Sequence, residues 1–335
     1  MKRASKNPLI GKEEPQLGLF DQPDESVVEE EARDRASLES LRDRLPGGLR
    51  FGTSSWTFPG WAGLVYHQRY PSQKAFLRES LREYASHPLM RTVGIDRSYY
   101  APIDAEDLSI YAAQLPPGFL CAMKVWQRVS TPVFPRHPRY GADAGRRNPD
   151  FLSPRLFADA VFAPVADRFA SVMGPWVLEV PPTPTSVDPS WFAAKLGTFL
   201  RAVPRDFPFA VEVRDRKLIG SEYVRTLEEH DATHVFNYWS RMPSIADQLR
   251  TPGLLRGTVC VVRLLLPPGT KYAELKDAYA PFDRLVEPQP TMRADVKRLV
   301  EAALERDMEV YVVVNNKAEG SSPLTVRALA ELLAR

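Results

Sequence analysis

Residues 261–266 read VVRLLL, apolar at five of six positions with no alternation between faces. A strand with one wet face alternates apolar and polar residues. An unbroken apolar run instead marks a strand covered on both faces, as in a parallel sheet flanked by helices. Residues 310–314, VYVVV, read the same way.

Working outward from these two runs, strands are expected at 49–53, 92–96, 119–125, 176–180, 208–213, 233–237, 258–264 and 309–314. Amphipathic segments alternate with them near 73–86, 105–113, 154–170, 190–202, 221–230, 242–250, 291–306 and 322–334. Asp188 or Ser190 suits the N-cap of the fourth helix, and Ser321 or Ser322 that of the last. Eight strands in strict alternation with eight helices predict an α/β fold, a (β/α)8 TIM-like barrel, over a doubly wound sheet.

At 335 residues and 44% hydrophobic content, the chain suits one barrel with an appendage. No apolar run reaches membrane-spanning length and the N-terminus, MKRASKNPLIGKEEP, has no apolar h-region. We therefore expect a cytoplasmic protein without membrane contact. Cys121 and Cys260 lie in apolar strand-like runs and read as reduced core residues. The five histidines form no His-x-His or HExxH pair, so no metal or other cofactor is predicted. A divalent ion on Asp96, Glu179 and Glu212 stays open.

The formal charge of +2 hides a split, with residues 1–45 at net −3 and the remainder at +5. A mildly basic body permits an anionic ligand without requiring nucleic acid. Residues 1–45 lack sustained apolar periodicity and read as a disordered or loosely helical acidic tail, with the barrel over 46–335. One island interrupts the tail: Gln16, Leu17, Gly18, Leu19 and Phe20. It resembles the QLxLF peptide with which bacterial DNA-processing proteins dock on the sliding clamp. Leu and Phe would enter an apolar pocket, with Gln16 as a polar latch.

The first strand leads into residues 51–66, FGTSSWTFPGWAGLVY, a Gly- and Pro-punctuated segment holding Trp56 and Trp61. With IDRSYY (95–100), FLCAMK (119–124), VEVR (211–214), VVR (261–263) and VVVNN (312–316), it resembles the YecE-like or DUF72 family, a domain of unknown function. The resemblance implies a TIM-like barrel and no settled activity. It places Glu212, Arg214, Arg263, Asn315 and Asn316 at recurrent family positions. The chain departs from the family at Gly94 and Asp96, where relatives carry Glu and Asn. It departs again at Thr131 and Leu265, where they carry His. These losses imply a shifted substrate or a catalytically silent binding barrel.

In a barrel, side chains at the C-terminal strand ends converge on one pocket. They are Asp96 and Tyr100 after the second strand, Lys124 and Trp126 after the third, and Glu179 in the fourth. Glu212, Arg214, Asn237, Trp239, Arg263, Asn315 and Asn316 follow on the remaining strands. Three cations, Lys124, Arg214 and Arg263, face one pocket; either an anionic ligand sits between them or Asp96, Glu179 and Glu212 pair them internally. Trp56, Tyr100 and the other rim aromatics suit a planar or ring-bearing ligand.

Two long connections, 126–154 with Arg128, Arg136, Arg139, Arg146 and Arg147, and 266–290 with Lys271 and Tyr272, belong on the same face. Two functions remain open. One is an enzyme, a hydrolase or isomerase rather than an oxidoreductase, acting on a phosphate- or carboxylate-bearing molecule. In it Glu212, Asp96 and Lys124 handle protons and charge, and Trp56, Tyr100, Arg214, Arg263, Asn315 and Asn316 bind substrate. The other is a DNA-maintenance accessory or nuclease-like protein tethered to the clamp.

Overall fold

The computed structural model describes residues 25–334. Eight strands close a parallel barrel in sequence order: β1 (Leu49–Thr53), β2 (Met90–Ile95), β3 (Cys121–Lys124), β4 (Met173–Val180), β5 (Phe209–Val213), β6 (Thr233–Tyr238), β7 (Val259–Leu264) and β8 (Glu309–Val314). β8 returns to β1 through Leu49 opposite Val310 and Thr53 opposite Val314. The two unbroken apolar runs are thus neighbouring staves, β7 and β8, covered inside by barrel residues and outside by helices.

Several barrel helices start where a side chain offers an acceptor to their free N–H groups. Ser72 caps α2 (Gln73–Ser86) by accepting from the Ala75 N–H at 3.1 Å, and Asp104 caps α3 (Ala105–Ala112). Short helices α4 (Gln127–Ser130), α5 (Pro154–Phe157) and α6 (Ala163–Arg168) follow β3, the last two joined by a π-helical turn at residues 158–162. The expected helix at 154–170 is therefore this composite element.

Asp188 caps α7 (Pro189–Ala202) by accepting from the Trp191 N–H at 2.8 Å, as one of its two expected caps. The remaining helices are α8 (Ser221–Glu229), α9 (Ile245–Leu249), α10 (Tyr272–Tyr279), α11 (Pro290–Leu304) and α12 (Ser322–Leu333). Ser321 stands at the N-cap position of α12 but makes no capping hydrogen bond. α10 lies inside the 266–290 connection, where the sequence pattern predicts no helix.

Of the two states expected for residues 1–45, disordered or loosely helical, the described part is helical. Glu25–Asp43 form a 19-residue helix, α1. Its amphipathic signal is faint because, among residues 29–43, Leu38 and Leu41 alone are buried. Its exposed faces carry Glu29–Arg33 and Arg35–Glu39 pairs at helical spacing, each 3.1 Å apart. Asp34 reaches Arg327 of α12 at 2.8 Å and Glu31 meets His67 at 3.1 Å, so α1 docks on the barrel wall by its leucines and these polar contacts. The Gln16, Leu17, Leu19 and Phe20 peptide lies outside the described residues.

Strand parity decides the barrel interior. Ala122, Val177, Ala210, Val235, Val261 and Val313 form an apolar layer inside it. Two residues further along each strand the chain offers Lys124, Glu179, Glu212, Asn237, Arg263 and Asn315. Side chains at i and i+2 share a face, so this second set stands one storey above the apolar plug. Glu179 lies opposite Glu212 and Asn237 opposite Arg263 in the strand register. Gly94 belongs to the same interior: a Cβ there would crowd Ser54 and Val313 at 3.1–3.2 Å. A side chain at this position would require Ser54 and Val313 to give way by a few tenths of an ångström.

Candidate functional site

The upper storey is an ion-pair ring. Arg263, from β7, is 2% exposed and sits at its centre. Its Nη2 donates to both Asp96 oxygens at 3.1 and 2.9 Å, and its Nη1 donates to Glu179 at 3.3 Å and to Glu212. Lys124 Nζ reaches Glu179 at 2.7 Å and Asp96 at 3.0 Å. Arg214 donates from Nε to Glu212 at 2.8 Å and from Nη2 to Glu179 at 2.9 Å. Three cations from three strand ends thus meet three carboxylates. Of the two arrangements the sequence left open, internal pairing is the one present.

The fields in the ring follow from these contacts. Burial alone would raise the Glu179 carboxyl, but Arg214, Lys124 and Arg263 overcome it and bring it down to about 2. Glu212 is held low in the same way, burial being outweighed by Arg214 and Arg263. Burial opposes the charge on Arg263, yet Asp96, Glu212 and Glu179 hold its pKa above the ordinary arginine value. Glu179, Glu212, Arg214 and Arg263 are each held toward their charged forms. The ring is also costly to disturb, since removing one member leaves a buried charge without its partner.

A cavity of about 470 Å3 opens above the ring. Asp96, Lys124, Glu179, Arg214 and Arg263 form its floor, and Asn315 adds an amide. The 126–154 connection closes one side with His137, Arg139 and Tyr140, while Trp239, Leu265 and Tyr272 stand opposite. Both long connections therefore border the cavity, as their position after β3 and β7 implies. Arg139 lies over the faces of Tyr100 and Tyr140 at 5.5 and 5.0 Å. Arg214 stacks on the Trp239 ring at 4.3 Å. The Trp239 indole N–H, buried, has no hydrogen-bond partner among the described residues.

Of the residues chosen from sequence, Asp96, Lys124, Tyr100, Arg214, Arg263 and Asn315 line this cavity, and three do not. Glu212 is fully buried beneath Arg214 and Arg263, so the ring screens it from any ligand. Trp56 is 3% exposed and packs edge-on against Tyr111, 5.0 Å away. Asn316 accepts from the Trp61 indole at 3.2 Å and from the Ser322 N–H at 2.8 Å, which fastens the first loop to α12. Asn316 follows the lining residue Asn315 and turns away from the cavity, Glu212 is covered by two guanidiniums, and Trp56 is packed into the core under the first loop.

Asp96 is the ring carboxylate most open to the cavity, its side chain 24% exposed against 4% for Glu179. Among the described residues no group of His, Cys, Asp and Glu side chains is arranged to hold a metal. Both oxygens of Asp96 and of Glu212, and Glu179 Oε2, already accept from Lys124, Arg214 or Arg263.

One flank of the cavity is a cover made of α10 and the segment after it. Val286 and Glu287 donate their N–H groups to the Glu319 carbonyl at 2.7 and 3.1 Å. The Glu319 carboxylate, fully buried, is gripped by Arg293 at 2.8–3.2 Å. Gly60 and Gly320 lie directly beneath this segment. A Cβ on Gly60 would overlap the Pro281 carbonyl, and one on Gly320 would come within 2.6 Å of the Arg284 carbonyl oxygen.

Barrel closure, a polar storey at the strand C-termini and a roofed cavity above it define a TIM-type barrel with a ligand-sized mouth. The chain belongs to the DUF72 family, described as a protein of unknown function, whose sequence profile matches residues 50–335. It is similar to a DUF72 family protein from Enterococcus faecalis, with 16% identity and a TM-score of 0.59 over 84% of this chain and 95% of that one. A DUF72 family protein from Thermotoga maritima gives 16% identity and a TM-score of 0.54, over 84% of this chain and 99% of that one. At such identities the likeness carries the fold. No curated protein matches the chain.

Proposed function

We propose that the barrel mouth binds a small anionic molecule, carrying a carboxylate or phosphate, and transforms it by proton transfer in the cytoplasm. The observation that carries this reading is the charge of the wall. Lys124, Arg139, Arg214 and Arg263 line the cavity against only Asp96 and Glu179, because Glu212 neutralises from below without reaching the surface. The wall is therefore positive by two charges, while the ring beneath is balanced. Fixed guanidinium and ammonium groups around a roofed cavity suit the stabilisation of negative charge. Asp96, the most open ring carboxylate, is placed to exchange a proton. Lys124, bonded to it, supplies positive charge beside any anion formed. Hydrolysis and isomerisation both fit this equipment.

The test is titration of the purified protein with inorganic phosphate, oxalate and a panel of phosphorylated and carboxylated metabolites, read by calorimetry and thermal shift. Arg139→Ala removes a wall cation that belongs to no ion pair of the ring. Binding weakened about tenfold by this change, the worth of one charge-assisted hydrogen bond, supports the reading. Absence of binding, or identical binding by the variant, overturns it. Turnover of any ligand found should be lost in Asp96→Asn.

The peptide Gln16, Leu17, Gly18, Leu19 and Phe20 favours a second reading, in which the protein serves DNA maintenance as a partner of a bacterial sliding clamp. A labelled peptide covering 12–24 should bind the clamp with micromolar affinity. The same peptide with Leu19 and Phe20 changed to Ala should not. Equal binding by both, or by neither, disposes of the tether.

A further inference from the structure

Lys317 stands one side chain behind the cavity wall and takes no part in the ring. It sits in the tight turn Asn316–Ala318 that follows β8 and is 3% exposed. Its Nζ lies 4.1 Å from the centre of the Tyr272 ring, 5.7 Å from that of Phe282, and donates to Asn315 Oδ1 at 3.2 Å. Among the described residues no carboxylate lies within ion-pair distance of it. The contrast with Lys124, which has two carboxylate partners, is complete. Tyr272 and Asn315, the groups that hold the amine, are themselves part of the cavity wall. Burial, with Lys276 adding to it and Asp96 weakly opposing, lowers the amine to about 8. A lysine in such a setting holds an appreciable uncharged fraction at neutral pH, which is the nucleophilic form.

We propose that Lys317 is a carbonyl-reactive amine, forming a Schiff base with an aldehyde or ketone that also bears a carboxylate or phosphate. The substrate class rests on the anion reading above: the positive wall would hold the acid group and turn the carbonyl carbon toward Asn315 and Tyr272. In the step, Nζ attacks the carbonyl carbon to give a carbinolamine. The C–O bond then breaks as the C=N bond forms, and both amine hydrogens leave with the oxygen as water. Nothing is oxidised or reduced. The resulting imine, once protonated, withdraws electrons from the adjacent carbon, where Asp96 could exchange a proton.

The experiment is reductive trapping on the full chain with glyoxylate and cyanoborohydride, followed by peptide mapping. Exposed Lys195 and Lys271 serve as internal references. Labelling of Lys317 at about ten times their rate near neutral pH, rising through an inflection near 8, is expected. Labelling no faster than the references overturns the proposal. Tyr272→Ala, which thins the cover, should raise the rate further, and Lys317→Arg should remove the labelled peptide. Acetaldehyde separates this idea from the one it rests on. If it labels Lys317 as fast as glyoxylate does, the amine is reactive and the anion reading fails. If oxalate binds and depends on Arg139 while Lys317 stays unlabelled, the anion reading holds and the Schiff base falls.

Discussion

Lys317 and the ring of Lys124, Arg214 and Arg263 are both buried at one barrel mouth, yet only the ring meets carboxylates. The difference shows two ways a fold can hold positive charge away from water. In the ring each cation is desolvated against carboxylates that accept its hydrogen bonds, and the group becomes a rigid floor. Lys317 is buried with only ring faces and one amide oxygen for partners, so burial weakens its hold on the proton and frees its nitrogen lone pair. A floor needs fixed charge; a nucleophile needs a charge it can lose.

Changing a cation to methionine in each region should break the comparison cleanly. Arg263→Met leaves Glu212 buried without one of its two guanidiniums, and should cost about 3–5 kcal/mol in chemical denaturation. Equal stability of this variant and the wild type would mean that the ring is ornamental.

Acid should reveal the ring next. Glu179 has its folded pKa depressed from 4.5 to about 2, so its contribution is present above about 4.5 and is lost as pH falls through 2. We expect the melting temperature to drop across that window. The drop should shrink in Glu179→Gln, in an amount equivalent to about 3 kcal/mol. A pH profile of the same slope in both proteins would count against the ion pairs.

Lys317→Met should move the other way, stabilising the protein at pH 7 by about 1 kcal/mol because an unpaired buried amine is removed. The sign can be checked with pH. Between about 8 and the ordinary lysine value of 10.5, the unfolded chain keeps a proton that the folded chain has released. Wild-type stability should therefore rise with pH across that interval, and the methionine variant should lack the rise. Destabilisation by Lys317→Met at pH 7 would show that the aromatic contacts outweigh the burial. The smallest effect belongs to Arg139→Ala, an exposed site expected to change stability by under about 0.5 kcal/mol while weakening anion binding.

The barrel and most of its floor were legible because both obey period two. Once the runs at β7 and β8 are read as strands covered on both faces, Lys124, Glu179, Arg263 and Asn315 follow as the inward residues above the apolar layer. Depth was not legible. Glu212 has the same parity as Glu179, but only the three-dimensional stagger of the strands puts it under two guanidiniums. Lys317 was missed for a different reason. Its surroundings come from Tyr272 and Phe282, more than thirty residues earlier, through a connection whose short helix breaks no rule of loop composition. The helix Glu25–Asp43 escaped because its surface is charged on most sides and it docks by two leucines.

Gly60 and Gly320 carry a consequence of their own. Each leaves the space into which the backbone of the cover is pressed, and Gly320 adds a φ of +117° that side chains rarely adopt. Neither glycine is part of the cavity lining. In a saturation mutagenesis screen for function, positions 60 and 320 should nonetheless be as intolerant as the charged floor, with even alanine depleted. A map of tolerance drawn on this barrel would then show two distant spots of the same colour as the charged mouth. They would mark the seam along which the roof is sewn to the wall.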